Sequence, residues 1–195
     1  MTDNRQDDLG IHQANLLDET TIREFPSEVR GRLIRPHDDG YDEARSVFYG
    51  GFDRRPALIV RVEDATDVSR VVALARKSGL ELAVRSGGHS VAGHSVSDGG
   101  IVLDLSEMKN LELDVEGRTA WAQTGLTAGE YTAAAGAHGL ATGFGDTGSV
   151  GIGGITLGGG GVHGAKARPH DRRPDLRRDG DRGRRTPARG CRDAS

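Results

Sequence analysis

The stretch AVRSGGHSVAGHSVSDGG, residues 83–100, limits this chain's fold more than any other. It holds five glycines, four serines and two histidines, and it lies between runs that read as strands. Gly87 and Gly88 can adopt positive φ and carry no side chain, so their backbone N–H groups can come close to a ligand. Successive N–H groups in such a turn form an anion-binding nest suited to a pyrophosphate. Two familiar phosphate loops are excluded. The G-x-G-x-x-G fingerprint needs a helix after it, and here a strand follows. No Gly-Lys-Ser/Thr occurs, so there is no Walker A loop. On glycine alone, a plain turn between strands stays open.

The surrounding sequence places this loop in a mixed domain. ALIVRV (57–62) is a compact β-branched run between Pro and Asp, which predicts a buried strand. Val68, Val71, Val72 and Ala75 then recur on one helical face. Thr66 is placed to cap that helix and Gly79 to end it. ELAVR (81–85) follows as a second strand, so strand–helix–strand predicts a βαβ unit with a parallel pair. After the loop come IVLDL (101–105), LELDV (111–115) and TAWAQTG (119–125); the last two form a hairpin about Glu116-Gly117-Arg118. Thr127-Ala128-Gly129-Glu130 is a capping box that opens a helix, and Gly139 ends it. Upstream, residues 25–51 suggest short helical segments broken by Pro36 and the turn at Asp38-Asp39-Gly40. The order argues for an α+β fold rather than a doubly wound sheet.

His89 and His94, with Asp98, could form a metal site by residue type, but their spacing falls on irregular backbone without a supporting cluster. No metal is therefore expected. A structural hydrogen-bonding histidine is the plainer reading, and a nucleophilic imidazole is the third.

VRSGGHSVAGHSVSDGGIVLDLSEMK (84–109), DRRPALIVRVEDATDV and HGLATGFGDTGSVGIGGITLGGG resemble, in order and spacing, the covalent flavoprotein oxidases built on the PCMH-type FAD-binding domain. This family includes the berberine bridge enzyme-like and 6-hydroxy-D-nicotine oxidase-like enzymes. The resemblance runs from about Tyr41 through Gly161. It implies FAD as cofactor and His89, the histidine of R-x-G-G-H-S, as the residue bonded to the 8α-methyl of the flavin. It also implies that Arg85, Ser86, Gly87, Gly88 and Ser90 surround the pyrophosphate, with Gly93 and His94 nearby. The attacking imidazole must be neutral, which an ordinary pKa of ~6.5 permits.

TGSVGIGGITLGGGG (147–161) has eight glycines in fifteen residues, yet Val150, Ile152, Ile155 and Leu157 are spaced like packed positions rather than a flexible tether. The resemblance makes it the second flavin-contacting segment, with Thr147, Gly148, Val150, Gly151, Gly153 and Gly154. Some relatives carry a second flavin-bonding cysteine where this chain has Thr147. The attachment implied here is through His89 alone.

Net charge is −3 overall, but residues 162–195 hold eleven Lys and Arg against five Asp. That is a net of +6 there and leaves −9 on residues 1–161. The tail shows no period of helix or strand. A disordered basic tail or a nucleic-acid-binding arm would carry such charge, but it has no aromatic residue to stack on bases. A shifted reading frame accounts for it better. When each codon takes two bases from one residue and one from the next, the permitted choices from His163 onward spell MVRKHGLTIDDLISAEMVTADGELLRADA, which is like the family. The expectation is a frameshift near Gly161 or Val162, in the gene or in its sequencing.

The expected organisation is an N-terminal, partly disordered segment over 1–40, a partial PCMH-type domain over 41–161 and an out-of-frame basic tail over 162–195. The intact relative would transfer hydride from a small organic substrate to FAD and then reduce oxygen. No catalytic residue is expected within this fragment, which is expected to be inactive. The rival classes are a non-catalytic fragment with a nucleic-acid-binding tail, and an FAD-holding module that needs a partner chain. The one cysteine, Cys191, excludes an intramolecular disulfide framework. The polar start has no signal peptide and no run approaches a membrane span, so a cytoplasmic protein without membrane or nucleic-acid partners is expected.

Overall fold

The computed structural model describes residues 29–159. The elements are β1 (Arg32–Ile34), α1 (Tyr41–Arg45), β2 (Leu58–Arg61), α2 (Ala65–Ser78), β3 (Leu82–Arg85) and β4 (Ile101–Asp104). Then follow β5 (Leu111–Asp114), β6 (Thr119–Ala122), α3 (Ala128–Gly136) and α4 (Ile152–Gly158). Four strands form one sheet in the order β1-β2-β4-β3, and β5 and β6 pair as a separate hairpin. The fold is α+β, as the sequence predicts.

Alternation along the strands builds two apolar layers. Leu58, Val60, Val62, Ile101 and Leu103 face Val71, Leu74 and Ala75 of α2. Ile59, Val102 and Ala83 face the other way, onto Ile34, Tyr41, Ala44 and Val96. Both central strands are thus covered on both sides, which explains their continuous apolar sequences.

Five local expectations are corrected. The βαβ unit is split: β4 lies between β2 and β3 and is parallel to both, so those two do not pair with each other. Residues 32–34 are a strand, antiparallel to β2, where the sequence suggested helix. The sheet therefore begins ahead of residue 41. Asp64, not Thr66, caps α2, and its side chain accepts from the N–H groups of Thr66 and Asp67. Leu157 is 87% exposed rather than packed. Gly79 ends α2 in the left-handed conformation, and the capping box of α3 is formed, as expected. That helix stops at Gly136, before Gly139. The basic segment 162–195, with its expected disorder, lies outside the described residues, as does most of the segment 1–40.

The register puts Arg61, Asp104 and Arg85 side by side at the C-terminal ends of three parallel strands. The loop that begins at Ser86 leaves from that same edge. Ligands of open α/β sheets bind outside such carboxyl ends, where the chain crosses over.

Candidate cofactor-binding site

The first glycine loop is braced from behind. Arg54 donates from Nη1 to the carbonyls of Gly93 (2.9 Å) and Val96 (2.8 Å). The Arg55 N–H donates to Asp98 at 2.8 Å, and the His94 N–H donates to Ser90 Oγ at 3.0 Å. Gly93 sits against Phe52, where an added Cβ would lie 2.6 Å from the ring.

The second glycine segment crosses the first at van der Waals distance. A Cβ built on Gly87 would stand 2.3 Å from Gly151 N, and one on Gly151 would stand 2.1 Å from Ser86 Oγ. Only glycine permits that crossing. Backbone pairing holds the segment in place: Ala128 N donates to Val150 O (2.8 Å), Ile152 N to Leu126 O (2.9 Å) and Gly129 N to Gly148 O (2.8 Å). Ser86 Oγ donates to Thr124 O at 2.5 Å.

Two cavities meet at Ser86, Gly87 and Gly88. The first, of about 410 Å³, is edged by Arg32, Arg61, Arg85 and Lys109, with Glu43 and Asp104. Asp104 is buried and bonds Arg85 Nη2 at 2.9 Å and Arg61 Nε at 3.1 Å. Burial pushes its carboxyl up, but the Arg85 charge and hydrogen bonds from Ser106 and Arg85 outweigh this, so its pKa ends below the ordinary value. One carboxylate shared by two guanidiniums leaves a net positive charge at the strand ends. The second cavity, of about 620 Å³, is lined by Val84, Val150, Ile155 and Leu157 with His89 and His94.

His89 is held on two sides. Its ring stacks on Phe48 with centroids 3.9 Å apart and planes 19° from parallel. Its Nε2 lies 3.0 Å from Ser149 Oγ, sixty residues on in sequence. Burial holds its pKa below the ordinary histidine value, which favours the neutral ring.

The structure gathers most of the residues singled out by sequence. Ser86, Gly87 and Gly88 border both cavities, and Arg85 borders the first. His89, Ser90, His94, Val150, Gly151 and Gly154 line the second. Gly93 supports the loop from behind, and Gly153 packs on Thr124. Thr147 and Gly148 fall elsewhere, in a hollow with Ala128 and Phe144. Sequence reasoning missed Phe48, Ser149, Arg61 and Asp104. The alternation of β2 and β4 could have flagged the last two as charges ending buried strands; nothing local marks Phe48. Among the described residues no group of three or more His, Cys, Asp or Glu gathers to hold a metal. None of their helices is long and apolar enough to cross a membrane.

A family profile described as FAD binding domain matches residues 56–171, ten residues past Gly161. The (R)-6-hydroxynicotine oxidase of Paenarthrobacter nicotinovorans is 39% identical over 135 residues, 69% of this chain and 30% of that protein. The crystal structure of 6-hydroxy-D-nicotine oxidase from Arthrobacter nicotinovorans matches with a TM-score of 0.65 at 39% identity, covering 66% of this chain and 28% of that one. Physcomitrella patens BBE-like 1 matches with a TM-score of 0.66 at 25% identity, covering 70% and 30% respectively. The chain thus spans about 30% of the length of the curated relatives it matches.

Proposed function

The chain belongs to the FAD binding domain family, and we propose that it supplies the FAD-holding part of an oxidase that bonds its flavin to His89. The observation that carries this reading is the pair of cavities that meet at the Ser86–Gly88 ridge. A cofactor with a charged pyrophosphate in its middle and a planar ring at one end needs such a pair. It needs a cationic recess beside exposed backbone N–H groups, and an apolar recess next to it. The glycine crossing at Gly87 and Gly151 keeps side chains out of the junction.

In this reading the Ser86–Gly88 backbone binds the pyrophosphate, and Arg61 and Arg85 supply a positive field held in place by Asp104. Val150, Gly151, Gly154 and Ile155 line the ring recess and exclude water from it. His89 stands at the edge of this recess as a neutral imidazole. When bound, FAD supplies hydride acceptance from a small organic substrate and electron transfer to dioxygen. The residues here bind and orient it.

The test uses a gene in which the reading frame is restored after Gly161. Its product, denatured in acid and run on a gel, should carry flavin fluorescence with the polypeptide, and tryptic mapping should find one flavin peptide, the one with His89. His89→Ala should abolish attachment while keeping FAD bound without a covalent bond. Flavin released wholly into the supernatant by the parent protein would refute the reading.

A further inference from the structure

We propose that Ser95 is the polar anchor of the larger cavity, and that its hydroxyl bonds the heteroatom edge of the flavin ring. The inference rests on the FAD reading above and goes beyond it by giving the ring recess a hydrogen-bonding group of its own.

Among the described residues, Ser95 and Ser97 are buried serines whose Oγ has no hydrogen-bond partner. Ser95 is 5% exposed and Ser97 is fully buried. Each hydroxyl thus carries the cost of leaving water without a bond to offset it. The two differ in where they stand. Ser95 lines the larger cavity, beside His89, His94, Val150 and Ile155. Ser97 lines neither cavity and packs against Gly100, where an added Cβ would lie 2.5 Å from its Oγ.

The backbone on either side of Ser95 is held, so the hydroxyl cannot find a partner by moving the loop. Arg54 Nη1 spans it, donating to Gly93 O at 2.9 Å and to Val96 O at 2.8 Å. The same guanidinium lies over the Phe52 ring, 5.6 Å from its centroid, and Phe52 closes on Gly93. The His94 N–H is bonded to Ser90 Oγ at 3.0 Å, and the Val96 side chain is buried with Ile59 and Val102. What freedom remains to Ser95 is rotation about χ1 among its staggered positions. A braced wall that holds a dry, unbonded hydroxyl beside a cavity is built to bond a ligand there.

The rest of the cavity decides the ligand chemistry. Val84, Val150, Ile155 and Leu157 suit an aromatic plane, but they cannot satisfy heteroatoms on its edge. The isoalloxazine has carbonyl oxygens, ring nitrogens and an N–H along one edge. A serine hydroxyl both donates and accepts, so a bond to any of these is open to it and no proton position need be assumed. Ser95 does not border the cationic cavity. Its effect should therefore fall on the ring and not on the pyrophosphate.

The experiment uses full-length protein from the frame-restored gene carrying His89→Ala, so that binding is reversible. It measures Kd for FAD and for ADP, which has the pyrophosphate without the ring, and the urea midpoint without ligand. Adding Ser95→Ala should weaken FAD binding about fivefold, the loss of one hydrogen bond of ordinary net strength, and leave ADP binding unchanged. The same change should hold or raise the ligand-free urea midpoint, because it removes a buried hydroxyl that has no partner. Ser97→Ala, the control, should also hold or raise the midpoint, with undiminished affinity for both ligands. Undiminished FAD affinity in Ser95→Ala, an equal loss for ADP, an equal loss in Ser97→Ala, or a fall in the Ser95→Ala midpoint would each overturn the anchor. A His89→Ala protein that binds neither FAD nor ADP would instead overturn the cofactor reading beneath it.

Discussion

At Gly151 one added methyl group decides whether the two glycine segments can meet. Its Cβ would lie 2.1 Å from Ser86 Oγ and 2.2 Å from Gly87 N, and backbone cannot yield as a flexible side chain can. Gly151→Ala should therefore push the segments apart, lower stability by about 1–3 kcal/mol and abolish FAD binding. Urea midpoints and flavin titration check both effects. Gly136, at the end of α3, has nothing within 4 Å of an added Cβ, so Gly136→Ala should stabilise by about 0.5–1 kcal/mol through helix propensity. A third prediction concerns His89, whose pKa is lowered by burial. Its NMR titration midpoint should fall below ~6.5, so FAD attachment should proceed at neutral pH and slow as acid protonates the ring. The gathering of Arg85 to Ser90 around the two cavities was legible in R-x-G-G-H-S. The partners of His89 were not, because Phe48 and Ser149 lie 41 and sixty residues away in the chain, and only the fold brings them to one ring.

The elements that aim these residues depend on a few buried charges. Asp67 in α2 is fully buried. It accepts from Arg30 N (3.2 Å), Gly31 N (3.0 Å) and Arg70 Nη1 (3.2 Å), and so ties the approach to β1 onto the helix start. Asp67→Ala leaves those N–H groups without their acceptor and should cost roughly 1–3 kcal/mol, read from the urea midpoint. Asp104 gives a pH dependence of known sign. Its folded-state pKa is lowered by the Arg85 charge and the Ser106 bonds despite burial. Its contribution is therefore full above the unfolded value of ~3.9 and is lost as pH falls through the lowered folded value. Asp104→Asn should flatten that part of the acid unfolding curve. Strand and helix existence were readable where period was strong, as in β2, α2 and β4. The strand β1 was not, since three residues carry no period and their support is pairing with β2 and the Asp67 tether. The insertion of β4 was hidden too: burial on both faces marks a central strand without naming its neighbours.

For the whole molecule, the apolar residues left uncovered become the deciding feature. Among the described residues Trp121 is 64% exposed, Val84 52% and Leu157 87%, and Val84 and Leu157 both edge the larger cavity. Fully burying one large aliphatic side chain is worth about 1.5–3 kcal/mol, while a native domain has roughly 5–15 kcal/mol of net stability. Covering a few such residues is thus comparable with everything that holds the fold. FAD in the larger cavity would cover part of this surface, and a ligand at a hundred times its Kd adds about 2.7 kcal/mol. The proposed frame change rests on residues 162–195, whose sequence carries charge without the period of a helix or strand. The test expresses the 195-residue chain beside the frame-restored one and compares melting, flavin content and oxygen uptake. The 195-residue chain should be marginally stable, nearly free of flavin and without oxygen uptake, and the frame-restored protein should melt cooperatively with flavin attached. If the 195-residue chain melts cooperatively with bound flavin, its exposed apolar residues need no further cover and the frameshift reading fails.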